Sequence, residues 1–449
     1  MNFQESLRYL YDLGYELSVK KFGLENTIKL LRALNDPEKN FLKIQIAGTN
    51  GKGSVCAFLD SICVSAGIKT ACYTSPHLVS ITERIKIDGA EISEKDFARH
   101  AGAVREVSEK LVESGELNAL PTFFEQVTAI ALNYFAEQKV ELAILETGLG
   151  GRFDSTTATN AEIVALTPID LDHQDILGNS LTEIASEKAA IIREGATVVV
   201  SEQKEEAMKI ISERCAKFGV KPILAHLVSA SVKGINASVN ERANRPRDTR
   251  SFTVAFPPLV PVDFQTEKAE YENVRLGLSG RHQIENAKVA ILLAEILQEN
   301  FKITAENIIE GLQTARHKGR LEFRENFLFD GAHNVGGAKA LKDFLDEFIT
   351  QPITMIFGVM REKDFAKIAT ILFPKAEKLI FTTPDSPRSI DAKDLLEFLP
   401  GNFPREKVFI SENTGEALEI AQKISSGEDL ILVTGSLYLI GEAQKILDF

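Results

Sequence analysis

The stretch that most restricts the fold is FLKIQIAGTNGKGSVCAFLDSICVSAG, residues 41–67. It begins with a short apolar run of strand length and continues with apolar residues at helical spacing up to Gly67. Glycines lie at the turn, where backbone N–H groups and the positive end of the helix can surround phosphate oxygens. We therefore predict a phosphate-binding loop made of Gly48, Thr49, Asn50, Gly51, Lys52, Gly53 and Ser54.

The loop departs from the common nucleotide-binding pattern, which has four residues between its first glycine and the Gly-Lys pair. Here Gly48 precedes Gly51 and Lys52 by two residues, and Gly53 separates Lys52 from Ser54. The alternative is a glycine-rich turn with no ligand. The strand, the lysine, the serine and the helix occur together, and this combination favours phosphate binding.

Apolar runs of strand length alternate with helix-periodic stretches along the chain, which predicts an α/β fold with mainly parallel sheets. Between Leu227 and Leu278 the sequence becomes polar, rich in proline and short-stranded, which indicates a small β-rich excursion. A second βα series begins near Leu328. We expect a P-loop domain at residues 1–300 and a smaller C-terminal α/β domain at residues 301–449. The clearest strands are LKIQIAG, LAILETG, AEIVALTPI, TVVVS, PITMIFGV, KLIFTT and LILVTGS.

Composition narrows the possible partners. The 449 residues are 44% hydrophobic and 26% charged, as in a globular enzyme with more than one core. No apolar run approaches the ~20 residues of a membrane helix, and the first residues lack a secretory pattern, so we expect a cytoplasmic protein with no membrane partner. The net charge of −13 argues against nucleic acid. The four cysteines have no zinc spacing, and we expect them to be reduced and buried.

Carboxylates and a histidine follow two further predicted strands. Glu146 ends LAILE before a glycine turn, and Asp170, Asp172 and His173 follow EIVALTPI. Ligands gather at the carboxyl ends of strands in open α/β sheets, and this donor set suits Mg²⁺ or Mn²⁺ on nucleotide phosphates. Lys188 lies on a predicted helix among apolar neighbours. Its sequence environment alone favours an exposed lysine, or one whose amine reaches solvent along the surface.

Ten motifs occur in the order that is typical of folylpolyglutamate synthases, a group that includes the bifunctional bacterial dihydrofolate synthases. They are GTNGKGS, YTSPHLVSITERI, PTFFE, ETGLGGRFD, LDHQDILG, EKAAIIREG, GRHQIENA, GRLE, DGAHN and GSLYLIGE. The chain thus resembles a Mur ligase superfamily member along nearly its whole length. The resemblance implies an ATPase domain, a C-terminal α/β domain, an active site between them and amide-bond formation driven by ATP. One departure is His317-Lys318, where many relatives have Trp-Pro.

The resemblance also implies roles for single residues. The loop would hold ATP phosphates, and the magnesium ligands would be Ser75, Glu146 and His173, with Ser54 competing with Ser75. Lys188 would be carbamylated and would help to hold a second metal ion. Nucleotide contacts would come from Asn286 (base), Arg320 (phosphates) and Asp330 (ribose), and the incoming glutamate would meet His333 and Ser436. The pterin end of the acceptor would lie against Gly23, Leu24, Thr122, Phe123, Phe124, Glu125, Phe153, Asp154 and Ser155.

Phe123 and Phe124 open an apolar helix, and we expect at least one of them to be a core residue.

The function that the resemblance implies is ligation of L-glutamate to folate, and to dihydropteroate as well, through an acyl phosphate. The expected partners are ATP, Mg²⁺, L-glutamate and the folate or dihydropteroate acceptor, and a monomer is expected. A cell-wall Mur-type amino-acid ligase and a nucleotide-binding switch without ligase activity are the alternatives.

Overall fold

The fold is that of a computed structural model, which describes residues 1–14, 23–233, 260–361 and 364–449. These residues form two compact units. The first unit comprises Met1–Val228 and Glu285–Ala315, and the second comprises Ser229–Ile284 and Arg316–Phe449. The division predicted at residue 300 stays a prediction, and that position lies inside the returning segment of the first unit.

Strands and helices alternate along most of the described chain. The strands are β1 Leu42–Ala47, β2 Thr70–Tyr73, β3 Ile85–Ile87, β4 Ala90–Glu91, β5 Leu142–Glu146, β6 Ile163–Leu166, β7 Thr197–Val200, β8 Ile223–Leu224, β9 Ser229–Val232, β10 Pro261–Gln265, β11 Glu270–Arg275, β12 Glu322–Arg324, β13 Phe327–Asp330, β14 Ile353–Phe357, β15 Lys378–Phe381, β16 Val408–Ile410 and β17 Leu430–Thr434. The helices are α1 Phe3–Asp12, α2 Glu25–Ala33, α3 Lys52–Ser65, α4 Glu94–Glu113, α5 Phe123–Glu137, α6 Gln174–Leu177, α7 Leu181–Ala189, α8 Glu205–Lys217, α9 His282–Leu297, α10 Ala305–Thr314, α11 Val335–Phe348, α12 Phe365–Leu372, α13 Thr414–Ile424 and α14 Leu437–Ile446.

The first unit is built on an eight-stranded sheet in the order β4-β3-β2-β5-β1-β6-β7-β8. Strands β2, β5, β1, β6, β7 and β8 pair in parallel, whereas β3 and β4 are antiparallel additions at one edge. β1 lies between β5 and β6 and is fully buried except at its first residue. Because parallel strands end at the same edge, the turns after β1, β5 and β6 are neighbours, and these turns carry the predicted site residues.

Helix α3, which follows the phosphate-binding loop, is packed closely against α10. A Cβ on Gly311 would lie 2.4 Å from the Cα of Ile62, so glycine allows the two backbones to approach. The contact is extended by hydrogen bonds from Ser65 Oγ to Glu310 (2.7 Å) and between the hydroxyls of Ser61 and Thr314 (2.9 Å). The loop helix and α10 therefore form one packed pair.

The second unit contains two sheets. A three-stranded antiparallel sheet has the order β11-β10-β9, and a six-stranded sheet has the order β12-β13-β17-β14-β15-β16, in which only β12 is antiparallel. Aliphatic and aromatic residues from the six-stranded sheet and from α11 and α12 form its core, which includes Leu328, Met355 and Phe373.

The predicted fold class is confirmed, and each of the seven strands predicted from apolar runs forms a strand. The β-rich excursion corresponds to β9–β11, and its central residues 234–259 lie outside the described residues. All four cysteines are free and buried, as expected. Among the described residues, no helix combines the length and the apolar content needed to cross a bilayer.

Candidate active site

The predicted phosphate-binding loop is held against the end of β6. Gly48 has φ +149°, and a Cβ there would lie 1.9 Å from Thr167 Oγ1. The backbone N–H groups of Thr49 and Asn50 donate to the carbonyl oxygen of Pro168, at 2.9 and 3.2 Å. Thr49 Oγ1 donates to the Asp170 carbonyl oxygen and accepts from the Asp170 N–H, both at 3.0 Å. The loop is thus fixed to the turn that carries the predicted metal ligands.

Gly51 closes the loop and begins α3 in the left-handed region, with φ +88°. The N-cap residue is thus a glycine, which has no side chain to occupy the helix end, and a helix N-terminus favours an anion. A Cβ on Gly51 would lie 2.3 Å from Oδ1 of Asn286, which is buried on α9. The structure therefore brings the predicted base-contacting residue Asn286 against the loop.

Lys52 folds back over the loop. Its Nζ atom donates to the carbonyl oxygens of Gly48 and Thr49, each at 3.2 Å. These contacts hold the side chain over the predicted phosphate-binding loop.

Lys188 is buried, with 5% of its surface exposed, and its Nζ donates to the Gly48 carbonyl oxygen at 2.9 Å. The interpretation based on local sequence, an exposed lysine, is therefore wrong. The physical reason is that its helix, α7, packs its apolar face on the sheet, and Lys188 lies on that face between Ile184 and Ile191. The structure thus brings Lys188 to the first glycine of the predicted phosphate-binding loop.

Glu146 ends β5 and is 6% exposed. Its Oε2 accepts the backbone N–H of Ser75 at 3.1 Å, which brings two of the predicted metal ligands together. Ser54, the competing ligand, is 5% exposed in the first turn of α3. Carboxylate and hydroxyl oxygens at the carboxyl ends of adjacent strands fit a Mg²⁺ site.

His173 follows β6 and has a left-handed backbone, with φ +50°. Its Nε2 lies 4.0 Å from Oδ2 of Asp172, and Asp170 pairs with Lys204 at 2.7 Å. Within the described ranges, no three His, Cys, Asp or Glu side chains are grouped closely enough to hold a metal ion. The predicted ligand set, which includes Ser75 and Lys188, stays a prediction.

The PTFFE segment starts α5 with a reciprocal cap. The N–H of Thr122 donates to Glu125 Oε2 at 2.8 Å, and the N–H of Glu125 donates to Thr122 Oγ1 at 3.4 Å. The other carboxylate oxygen of Glu125 accepts from Thr27 Oγ1 at 3.1 Å. Glu125 is 1% exposed, so its carboxylate mainly organises this helix start.

The two phenylalanines of this segment face different surroundings. Phe123 is buried in the core and stacks on Tyr11, with ring centroids 5.7 Å apart, which confirms that one of the pair is a core residue. Phe124 is partly buried, and a Cβ on Gly148 would lie 2.6 Å from its Cζ. Phe153 is 40% exposed, so it can contact a ligand.

Asp154 anchors the glycine turn that follows β5. Its Oδ2 accepts the N–H groups of Gly148 (3.0 Å) and Leu149 (2.9 Å), and its Oδ1 accepts from the N–H and the hydroxyl of Thr156. Ser155 is fully buried. Of the remaining predicted acceptor residues, Gly23 precedes α2 and Leu24 packs against the core below it.

Sequence reasoning assigned no role to His77 and Arg84, although both lie in the quoted YTSPHLVSITERI motif. Arg84 Nε donates to His77 Nδ1 at 2.8 Å, and the guanidinium lies 5.4 Å from the centroid of Phe123. Burial, and then the charge of Arg84, lower the pKa of His77 to about 3. The motif contains both residues, but the hydrogen bond between Arg84 and His77 depends on the conformation of the loop, which the motif does not specify.

In the second unit, Asp330 ends β13 and joins two loops. Its oxygens accept the N–H groups of Leu321 (2.9 Å) and Ala332 (3.0 Å). Burial raises the pKa of Asp330 to about 6, against the lowering effect of Arg320 and of these two hydrogen bonds. Arg320 Nη1 donates to the Gly331 carbonyl oxygen at 3.3 Å. The structure thus brings Arg320 and Asp330 together.

The same carbonyl oxygen of Gly331 lies 2.7 Å from His333 Nδ1. A carbonyl can only accept, so Nδ1 carries the hydrogen, and in the neutral ring Nε2 is then the proton acceptor. Ser436 is 2% exposed and caps α14, where it accepts the Tyr438 N–H at 3.1 Å. His333 and Ser436 therefore follow β13 and β17, which are neighbouring parallel strands.

Comparison of the sequence with known proteins identifies related protein families. The profile of the Mur ligase middle domain matches residues 46–294, and that of the Mur ligase glutamate ligase domain matches residues 319–437. A dihydrofolate synthase/folylpolyglutamate synthase of Bacillus subtilis is 34% identical over 436 residues, which cover 95% of each chain.

Two solved structures are also similar along the whole chain. Folylpolyglutamate synthase of Thermotoga maritima has a TM-score of 0.82 and 31% identity, covering 99% of this chain and 96% of that one. A bifunctional folylpolyglutamate synthase/dihydrofolate synthase with Mn, AMPPNP and L-glutamate bound has a TM-score of 0.81 and 27% identity, covering 100% and 98%. The chain therefore belongs to the Mur ligase family and, within it, to the ATP-dependent ligases of the folylpolyglutamate synthase/dihydrofolate synthase type.

Proposed function

We propose that this ligase adds L-glutamate both to folates and to dihydropteroate, and that it activates the acceptor carboxylate as an acyl phosphate. The observation that carries the proposal is the convergence of Lys52 and Lys188 on the Gly48 carbonyl oxygen, beside the start of α3. Lys52 and the loop N–H groups can receive the negative charge of nucleotide phosphates, and Lys188 lies next to them.

We assign ATP to the loop from Gly48 to Ser54, with Asn286 at the base, Arg320 at the phosphates and Asp330 at the ribose. The metal ligands in this assignment are Ser75, Glu146, His173 and Lys188. A bound Mg²⁺ would neutralise phosphate charge and orient the phosphoryl group. The buried position of Lys188 supports modification: its neutral amine would add to CO₂ and release a proton, and the resulting carbamate would be an anion able to bind a second metal ion.

The reaction begins at the acceptor carboxylate, whose oxide is too poor a leaving group for direct amide formation. A carboxylate oxygen attacks the γ-phosphorus of ATP, the bond to ADP breaks, and an acyl phosphate forms. Lys52 and Arg320 would offset the charge of the transferred phosphoryl group. The glutamate amine then attacks the acyl carbon, and inorganic phosphate leaves with one acceptor oxygen.

We propose that His333 accepts the proton of the attacking amine through Nε2. The hydrogen bond from Nδ1 to the Gly331 carbonyl supports this role because it fixes the tautomer in which Nε2 is basic. Ser436, at the start of α14, would bind the glutamate carboxylate with the helix N-terminus.

For the acceptor, we propose that Phe124 and Phe153 contact the pterin ring. The others, Gly23, Leu24, Thr122, Phe123, Glu125, Asp154 and Ser155, would shape the surface around it. The caps and anchors described for Thr122, Glu125 and Asp154 support a role in holding these loops. We further propose that the protein acts in the cytoplasm as a monomer with small-molecule partners alone.

Transfer of ¹⁸O tests the proposed chemistry. An acceptor labelled at both carboxylate oxygens should give one ¹⁸O in released phosphate and retain the other in the amide, as measured by mass spectrometry after one turnover. Unlabelled phosphate accompanied by product would refute the acyl phosphate. ATP hydrolysis that is independent of glutamate and acceptor would instead support the switch.

Parallel assays with dihydropteroate and with a reduced folate monoglutamate test the acceptor range. Glutamate-dependent phosphate release with both supports the bifunctional proposal, and release with one alone restricts it. Failure with both, together with turnover of a cell-wall precursor, would favour a cell-wall ligase.

A further inference from the structure

Arg320 lies between two residues with left-handed backbones. Gly319 has φ +68° and Leu321 has φ +43°, and leucine rarely adopts that region because it costs about 1–2 kcal/mol. Leu321 is 4% exposed, so its side chain is buried as well. A turn with this conformation requires contacts that hold it, and such strain is concentrated at functional sites.

Three contacts tie this turn to the loop after β13. The Leu321 N–H donates to Asp330 at 2.9 Å, and the Gly331 N–H donates to the Gly319 carbonyl oxygen at 2.9 Å. Arg320 itself donates to the Gly331 carbonyl oxygen. Gly331 also has no room for a side chain, because a Cβ there would lie 2.3 Å from Leu437 Cδ2 on α14.

Glu322 supplies the remaining support, through a single carboxylate oxygen. Its Oε2 accepts the Gly319 N–H at 2.7 Å and the side-chain amide of Gln444 at 2.9 Å. Gln444 lies on α14 and is 3% exposed. The other oxygen, Oε1, pairs with the exposed Arg324 at 2.9 Å. One side of Glu322 therefore faces the turn and the other faces the surface.

We infer that Glu322 and Gln444 are positioning residues that fix the Arg320 guanidinium for the nucleotide phosphates. The inference rests on the proposed role of Arg320 in the proposed function. Neither residue is proposed to contact ATP. They act by joining the turn before Arg320 to α14, the helix whose start is proposed to bind glutamate, so the two binding elements keep a fixed relative position.

The test combines Glu322→Ala, Arg320→Ala and the double variant, with Arg324→Ala as the matched control. Arg324→Ala removes the surface partner of Glu322 and leaves the bonds of Oε2 in place, so its ATP affinity and kcat/KM should equal those of the unmodified protein. Glu322→Ala should weaken ATP-Mg binding and reduce kcat/KM by about tenfold to 10²-fold, the range expected when a reacting group is displaced.

The double variant should be no weaker than Arg320→Ala alone, since Glu322 acts through Arg320. Glu322→Gln keeps an acceptor oxygen and should restore most of the affinity, and Gln444→Ala should give an intermediate loss. The inference would be overturned if Glu322→Ala lowered the Tm but left the ATP affinity and kcat/KM of the folded protein unchanged. The inference would also be overturned if the losses of ATP affinity from the two single substitutions multiplied in the double variant, or if Arg320→Ala bound ATP normally.

If Glu322→Ala does not fold, Gln444→Ala, alone and combined with Arg320→Ala, carries the same comparison. Calorimetric ATP-Mg affinities decide the inference without turnover. If the unmodified protein binds ATP but shows no glutamate-dependent phosphate release with either acceptor, the proposed function fails, and the affinity cycle still decides the role of Glu322.

Discussion

The ammonium nitrogen of Lys188 lies 2.9 Å from the carbonyl oxygen of Gly48, so a lysine of α7 reaches the first glycine of the phosphate-binding loop. Burial opposes a charged lysine and favours the neutral amine, which is the form that reacts with CO₂. The contact also places the amine close to the end of β1, where metal and phosphate are proposed to bind.

Replacement of Lys188 by alanine should therefore reduce ligation by about 10²-fold or more, because a group acting on the phosphoryl transfer is lost. If the carbamate is the active form, a short carboxylate at high concentration should partly restore activity to this variant. Lys209→Ala, at an exposed position on α8, is the control. Electron density that ends at the lysine nitrogen in a bicarbonate-grown, metal-bound crystal would contradict carbamylation.

For Lys52, substitution by alanine should lower kcat/KM for ATP by about 10²–10³-fold, since one cation at the phosphates is removed. The Tm should change little, because Nζ contacts only loop carbonyls. Ligation kinetics and thermal unfolding measure the two effects separately. Lys95→Ala on α4 controls for loss of surface charge, and unchanged kinetics in Lys52→Ala would remove this lysine from the site.

Glu146→Gln and His173→Ala should each shift the Mg²⁺ concentration for half-maximal activity upward by at least about tenfold. Each substitution would remove one of the few proposed ligands. A titration of activity with Mg²⁺ at saturating ATP checks this. A variant that keeps the original titration curve would show that its residue does not bind the metal.

The stability of the first unit should depend on pH through Asp60. Its Oδ1 is buried and, within the described ranges, accepts no hydrogen bond, and burial raises its pKa to about 7 despite nearby Lys86. The folded state thus holds a proton that the unfolded chain releases near pH 4. Between these pH values the folded state binds more protons than the unfolded chain. The free energy of unfolding should therefore fall as the pH rises from about 4 to 7.

Asp60→Asn should remove this dependence and should be more stable than the unmodified protein at pH 8, with a difference that shrinks toward pH 5. Tm measured at four pH values tests the prediction. Asp96→Asn provides the opposite control, because the Ser93 hydroxyl, and then Arg99, lower the pKa of Asp96. Asp96→Asn should therefore lower the Tm at neutral pH, and this loss should shrink only as the pH falls below about 4. A constant difference for Asp60→Asn across pH would contradict the argument.

The sequence predicted those features that depend on periodicity and on chain order. The apolar runs gave the central strands, and the parallel arrangement then implied that Gly48, Glu146 and His173 lie at one sheet edge. The strands β3 and β4 escaped prediction, because two or three residues are too few for a periodic pattern. The burial of Lys188 could have been inferred from its apolar neighbours.

Hydrogen-bond assignments were beyond sequence reasoning. Asp154 and Glu125 resemble ligand-binding carboxylates in a motif, but their oxygens are occupied by loop N–H groups and helix-capping contacts. The left-handed Leu321 is likewise invisible in GRLE, since it results from tertiary contacts with Asp330. Thr27 and Glu125 lie 98 residues apart in the chain, and only the folded structure joins them.

The division of the chain into two units has a consequence for the order of synthesis. The polypeptide passes from one unit to the other after Val228, after Ile284 and after Ala315. Residues 229–284 therefore leave the ribosome before most of the second unit, to which they belong. At that stage residues 285–315 of the first unit have not yet been made. Neither unit can be completed as one uninterrupted stretch of nascent chain, and truncation after Ala315 leaves β9–β11 without the rest of the second unit.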